Sequence, residues 1–119
     1  MAIPWRAAGR AERVRAMTAR ERLPNRRECE SFEFRYAGMA FICSAGFYPD
    51  GRIAEIFLSS HKPGSPIEAI ARDAAVTVSI ALQFGVPIET IHSALTKDHD
   101  GSAATVLGAA LDKLAEQAP

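Results

Sequence analysis

The strongest constraint on how this chain folds is the run from Ile53 to Phe84. Ile53-Ala54-Glu55-Ile56-Phe57-Leu58-Ser59-Ser60 reads as an apolar strand, and His61-Lys62-Pro63-Gly64-Ser65 as a polar loop. A helix start follows. Ser65 is an N-cap, Pro66 sits where a missing N–H costs nothing, and Glu68 completes an S-x-x-E capping box. Beyond it Ile67, Ile70, Ala71, Ala74, Ala75, Val78, Ala81 and Leu82 recur at mixed three- and four-residue spacing. Val76, Ile80 and Phe84 widen that stripe. A helix apolar around so much of its circumference is expected to be buried on more than one side. Its second face calls for a cover, either the C-terminal helices or a second copy of the chain.

The elements around this run follow from the same periodicities. Phe32, Phe34 and Tyr36 alternate with Glu33 and Arg35, the pattern of a half-buried strand over Ser31–Tyr36. Ala37-Gly38 is a tight turn, and Met39 to Tyr48 is a second strand with Met39, Phe41, Cys43, Ala45 and Phe47 on one face. Pro49-Asp50-Gly51 is turn chemistry: proline presets φ, and glycine takes the positive φ. Three strands joined by short turns form an antiparallel meander. After the long helix, Gly85 is the C-cap glycine. Pro87 to about Thr96 is a short helix with Ile88, Ile91 and Leu95 inward, and Lys97-Asp98-His99-Asp100-Gly101 is a polar loop. Ser102 is then expected to cap a last helix through Glu116. Strands first and helices after define an α+β fold: a three-stranded meander, a long buried helix and two shorter helices packed on it. The two open sheet edges invite pairing with another chain, so a homodimer or a dock onto a larger partner is expected.

The formal charge is zero, but unevenly spread. Residues 1–27 hold eight arginines against Glu12 and Glu21, 8 − 2 = +6, and residues 28–119 hold six basic and twelve acidic groups, 6 − 12 = −6. The chain thus divides into a basic N-terminal arm, residues 1–27, with a weakly driven helix from Trp5 to about Glu21, and a body, residues 28–119. A basic arm on an acidic body marks a partner surface or an internal contact. No apolar run is long enough to span a membrane, and the first twenty residues lack a signal-peptide core, so a cytoplasmic protein without membrane contact is expected. The two cysteines, Cys29 and Cys43, are expected to be free, with Cys43 buried in a strand.

Four groups of residues carry chemistry worth weighing. His61, Lys62, Gly64 and Ser65 stand at a helix N-terminus, where free N–H groups attract phosphate or carboxylate; the plain alternative is a capped helix with a solvated lysine. Arg20, Arg22, Arg26 and Arg27 suit a polyanion or an acidic partner, and with Phe32, Phe34 and Tyr36 they would form a base-stacking sheet. The competing reading makes these aromatics core and the arm a strap on the acidic body. Asp98-His99-Asp100, with His61 or His92, offers metal or acid–base groups, but the spacing matches no zinc template and a polar connection accounts for it. His92 is expected at the edge of the core. No nucleophile triad, paired-carboxylate spacing or nucleotide glycine loop is present, so no catalytic residue, metal or cofactor is expected.

The strand ending in Lys62-x-Gly64-Ser65, the alanine-rich helix and the restart Gly85-Val86-Pro87-x-Glu89, preceded by Asp50-Gly51-Arg52, resemble the TSCPD domain. That family stands at the C-terminal end of many adenosylcobalamin-dependent ribonucleotide reductases and also occurs as small bacterial proteins. The resemblance covers roughly residues 38 to 96. Its namesake Thr-Ser-Cys-Pro-Asp motif, whose cysteines imply a metal site, is absent here. Past Leu95 the chain reads Thr96-Lys97-Asp98-His99-Asp100-Gly101-Ser102. Neither a cysteine metal site nor the reductase's radical chemistry is therefore carried over, the latter belonging to a barrel domain. What the resemblance implies is a stand-alone accessory or regulatory module of the ribonucleotide reductase kind, binding a protein partner and forming a homodimer. The alternative is a nucleic-acid- or nucleotide-binding protein using the arginine arm and the Ser60–Ser65 loop.

Overall fold

The three alternating segments pair into one antiparallel sheet in the order β1-β2-β3, with β1 at Cys29–Tyr36, β2 at Met39–Phe47 and β3 at Ile53–Ser60. The structure, a computed structural model, describes residues 20–62 and 64–117. Most of the expected arm helix lies outside these residues, and its last positions, Arg20 and Glu21, are not helical. Ala37 and Gly38 both take positive φ, 51° and 79°, which matches the right-handed twist of the strands they join.

Register sorts the side chains. Phe34 lies opposite Phe41, Phe32 opposite Cys43, Cys43 opposite Leu58 and Ala45 opposite Ile56, so these residues share one face. Helix α1 (Pro66–Gln83) packs on that face against β3. Helix α2 (Ile88–Ala94) turns the chain back, and α3 (Val106–Gln117) reaches across to β1. Ala71, Ala75, Val78 and Leu82 of α1 and Val106, Leu107, Ala110 and Leu111 of α3 close the core over the sheet. The α+β class and the order of elements are as expected. Phe34 is buried and stacks on Phe41 at 5.9 Å between ring centroids, while Phe32 and Tyr36 pack against the same core. This counts against the base-stacking sheet: Phe34 is interior, and Phe32 and Tyr36 are half-buried against the same core.

Three local expectations are corrected. Pro87 is the N-cap of α2 rather than its first helical residue. The last helix begins at Val106, where the Gly108 N–H donates to Thr105 Oγ1 at 3.0 Å, so Thr105 and not Ser102 caps it. Ser102 is committed upstream, its amide and hydroxyl both donating to Asp100 Oδ1, and Lys97 bridges to Ala103. The third correction concerns α1. The later helices do not lie over its outer side, because α3 sits beside it on the same sheet face. Ile70, Val76 and Ile80 therefore remain 71%, 49% and 41% exposed.

The outer edge of β3 is not an open ladder either. Gln83 Nε2 donates to Ala54 O at 3.2 Å, Ser79 Oγ accepts from Ile56 N–H at 2.8 Å and lies 3.0 Å from Ile56 O, and Glu68 Oε2 accepts from Ser60 N–H at 2.9 Å. Glu68, Ser79 and Gln83 are the buried polar residues of α1. On a helix they project within about 60° of one another, so one narrow strip of α1 satisfies the strand edge. The helix thus blocks at β3 the edge pairing that a bare strand invites.

Candidate functional site

The Ser60–Ser65 loop is built as a helix start. Ser65 Oγ accepts from the Glu68 N–H at 3.1 Å, the N-cap bond read from the sequence. The Glu68 carboxylate, however, accepts from Ser60 N–H at 2.9 Å and Gly64 N–H at 3.3 Å, with Arg72 3.4 Å away. An anionic group of the chain itself thus occupies two of the loop amides that a bound phosphate would use. Gly64 has φ 92°, which only glycine adopts freely, and this lets its amide turn inward. Lys62 and His61 are exposed; His61 Nε2 lies 3.3 Å from Glu33.

The arginines divide into two pairs. Arg20 Nε donates to Gln83 Oε1 at 2.8 Å. Arg27 grips Glu55 through Nε at 2.6 Å and Nη2 at 3.3 Å, and its Nη1 donates to Pro24 O. Glu55 is buried although charged, because Gly46 opposite it lacks a side chain: a Cβ there would lie 2.5 Å from Glu55 Oε1. Glu21 adds a third clasp, accepting from the Tyr48 hydroxyl through its carbonyl and pairing with Arg52 at 3.0 Å. The Arg52 guanidinium also stacks over the Tyr48 ring at 4.7 Å. Burial pushes the Tyr48 phenol pKa up, Glu21 adds to the rise and Arg52 opposes it. Arg22 and Arg26 are exposed. Residues 20–28 therefore lie strapped across the body, as the competing reading of the arm expected for this stretch.

The histidines do not gather. His92 Nε2 lies 2.6 Å from Asp112 Oδ1, tying α2 to α3 with His92 half-buried at the core edge. Asp98, His99 and Asp100 are exposed, and Ser102 holds the Asp100 carboxyl below the usual carboxylate range. Among the described residues no group of three His, Cys, Asp or Glu side chains is placed to hold a metal ion. Cys43 is buried and Cys29 exposed, both free.

The described residues also form two concave surfaces. A cavity of about 460 Å³ lies between the β2–β3 turn, the end of α1, α2 and α3; its walls include Tyr48, Arg52, Leu82, Ile88, His92 and Leu114. A second, of about 410 Å³, is an apolar groove between Ile67, Ile70 and Ala74 of α1, Tyr36, and Leu95 and Val106. Ile70 stands at its lip. Sequence reasoning passed over Glu55, Gln83, Asp112 and both concavities. The only local signal was Gly46 inside an apolar strand, which marks a close approach.

The described residues form a small α+β body with a strapped basic lead and exposed apolar positions on its longest helix, and among them no helix is long and apolar enough to cross a membrane. The family model of the TSCPD domain matches residues 11–118, and the chain belongs to that family. The match runs further in both directions than the motifs at residues 38 to 96, and it starts inside the arm. Among curated proteins, the chain is similar to the vitamin B12-dependent ribonucleotide reductases of Rhodopirellula baltica (40% identity over 80 residues, 67% of this chain and 8% of that protein) and Bradyrhizobium diazoefficiens (35% over 85 residues, 71% and 7%). That of Agrobacterium fabrum is 39% identical over 77 residues, 65% of this chain and 6% of that protein. The chain spans 6 to 13% of the length of the curated relatives it matches. No solved structure matches it.

Proposed function

We propose that this chain is an accessory binding module that acts by protein–protein contact, with a ribonucleotide reductase of the vitamin B12-dependent kind as its partner. The observation that carries this reading is Ile70, a large apolar side chain 71% exposed at the lip of an apolar groove on the longest helix. Covering such a side chain supplies about 1.5–3 kcal/mol. The similarity of this domain to a small part of those large enzymes supports the choice of partner. The test is binding of the full chain to the reductase of the same cell. Ile70→Asp is expected to weaken binding at least tenfold while leaving the fold intact, since the side chain is mostly in water. No binding by the unaltered chain, or equal binding by the variant, refutes the proposal.

Self-association is the second reading, supported by Val76 and Ile80, which project from the other flank of α1. Sedimentation of the full chain tests it: Val76→Asp shifts a dimer toward monomer, and a monomer at every concentration excludes it. The polyanion reading has less support, because Arg20 and Arg27 direct their guanidinium donors into the chain and leave Arg22 and Arg26.

A further inference from the structure

The two edges of the sheet are finished differently. On β3 the outward main-chain groups of Ala54, Ile56 and Ser60 are bonded by Gln83, Ser79 and Glu68. On β1 the described residues supply no such cover. Tyr36 pairs with Met39 across the two-residue Ala37-Gly38 turn, so these two exchange their main-chain bonds within the hairpin. Bonded pairs then recur at every second residue, Phe34 with Phe41 and Phe32 with Cys43. The Phe47 N–H donating to Glu28 O at 3.0 Å keeps the same parity. The N–H and C=O of Ser31, Glu33 and Arg35 therefore point away from β2, and no described group bonds to them. The strand is eight residues long, with neither a proline nor a register shift to blunt it.

The side chains of this edge say what fits it. Glu33 and Arg35 are exposed, and the residues opposite them on β2 are Ile42 and Ala40, so neither faces a charge within its own sheet. Glu33 Oε2 lies 3.3 Å from His61 Nε2, and Arg35 Nη2 donates to Gly38 O at 2.7 Å. Among the described residues this leaves Glu33 Oε1 and the Nε and Nη1 of Arg35 to bond elsewhere. A second copy laid antiparallel about a two-fold axis at Phe34 sets Glu33 opposite the partner's Arg35 and Arg35 opposite the partner's Glu33. On the inner face the same register brings half-buried Phe32 beside the partner's Tyr36. An axis at Glu33 would oppose two glutamates, and one at Arg35 two arginines. An axis at Phe32 would set Glu33 against Ser31 and Arg35 against Cys29. Only the axis at Phe34 matches charge with charge.

We propose that β1 is a self-pairing edge: two copies of the chain join β1 to β1 in the Glu33–Arg35 register and form one continuous sheet. This edge is distinct from the Val76 and Ile80 flank of α1, and the proposal does not rest on the reductase reading.

Sedimentation of the full chain tests it, with reductant present so that exposed Cys29 cannot link copies. The unaltered chain is expected to form a dimer as concentration rises. Glu33→Arg and Arg35→Glu are each expected to weaken it at least tenfold, because each sets like charges opposite one another on both sides of the axis. Mixed in equal amounts, the two variants are expected to pair with each other as the unaltered chain does, since every glutamate then faces an arginine. A monomer at every concentration, a dimer that both variants leave intact, or a mixture that stays monomeric overturns the proposal. A dimer broken by Val76→Asp and kept by both charge variants overturns it in favour of the α1 flank. Amide exchange is the second readout. The Glu33 and Arg35 amides are expected to slow at least tenfold between the dilute monomer and the dimer. Protection already complete in the monomer would mean that the same chain covers this edge, and overturns the proposal as well.

Discussion

Ser79→Ala tests whether α1 satisfies the β3 edge. In the native chain Ser79 Oγ accepts from Ile56 N–H at 2.8 Å and also lies within bonding distance of Ile56 O and Ala75 O. Ile56 is fully buried and Ser79 nearly so, so water cannot take the vacated place without opening the helix from the sheet. A buried amide left without an acceptor costs about 1–3 kcal/mol. Alanine's better helix propensity returns about 0.5 kcal/mol, for a net loss of about 1.5 kcal/mol. For 119 residues at about 2.1 cal/mol/K each, the unfolding entropy is about 0.25 kcal/mol/K, and the loss lowers Tm by about 6 °C. Thr77→Ala is the control. Thr77 makes the same bond back to the helix, Oγ1 to Asp73 O at 2.9 Å, but is exposed and touches no strand. It is expected within 0.5 kcal/mol of the unaltered chain. Urea unfolding measures both variants, and amide exchange at Ile56 reports the site. A Ser79→Ala loss below about 0.5 kcal/mol with unchanged Ile56 exchange refutes the edge-satisfaction argument.

Glu68→Ala removes the shared acceptor of two loop amides and is expected to cost about 2–3 kcal/mol in urea unfolding; a loss no larger than that of a surface substitution counts against the internal-anion account. Ala37→Gly relieves a non-glycine residue at φ 51° and is expected to gain about 0.5–1 kcal/mol, with a lowered Tm as the contrary result. Burial pushes the Cys43 thiol up to about 12, from an ordinary value of 9.0. Between those values the unfolded chain loses the thiol proton while the folded chain keeps it. This contribution to stability is therefore complete below pH 9.0 and is lost as pH rises toward 12, by up to about 1.4 kcal/mol per pH unit. Alkylation at pH 8 should label one thiol per folded chain, Cys29; two labels would show that Cys43 is not shielded.

Much of the architecture was legible because it rests on short-range rules. The alternation at Phe32, Phe34 and Tyr36 gave a strand, Ser65-Pro66 and Gly85 bounded α1, and the loop and restart motifs pointed to the family that the chain belongs to. Helix starts without a strong stop before them were less legible: Ser102 and Thr105 are equally good caps in isolation, and the Asp100–Ser102 bonds decide between them.

The sequence by itself determined which segments are strands and helices and which side of each is apolar, because periodicity and capping act within a few residues. Only the tertiary structure decided what each polar side chain is for. In the sequence Glu68 read only as half of a capping box, Arg27 as a polyanion or partner contact and His92 as a core-edge residue, while Ser79, Gln83, Glu55 and Asp112 carried no reading. Their partners lie 8 to 29 residues away, from Glu68 with Ser60 to Gln83 with Ala54. Contacts at such separation depend on the placing of one element against another, and no local pattern encodes that.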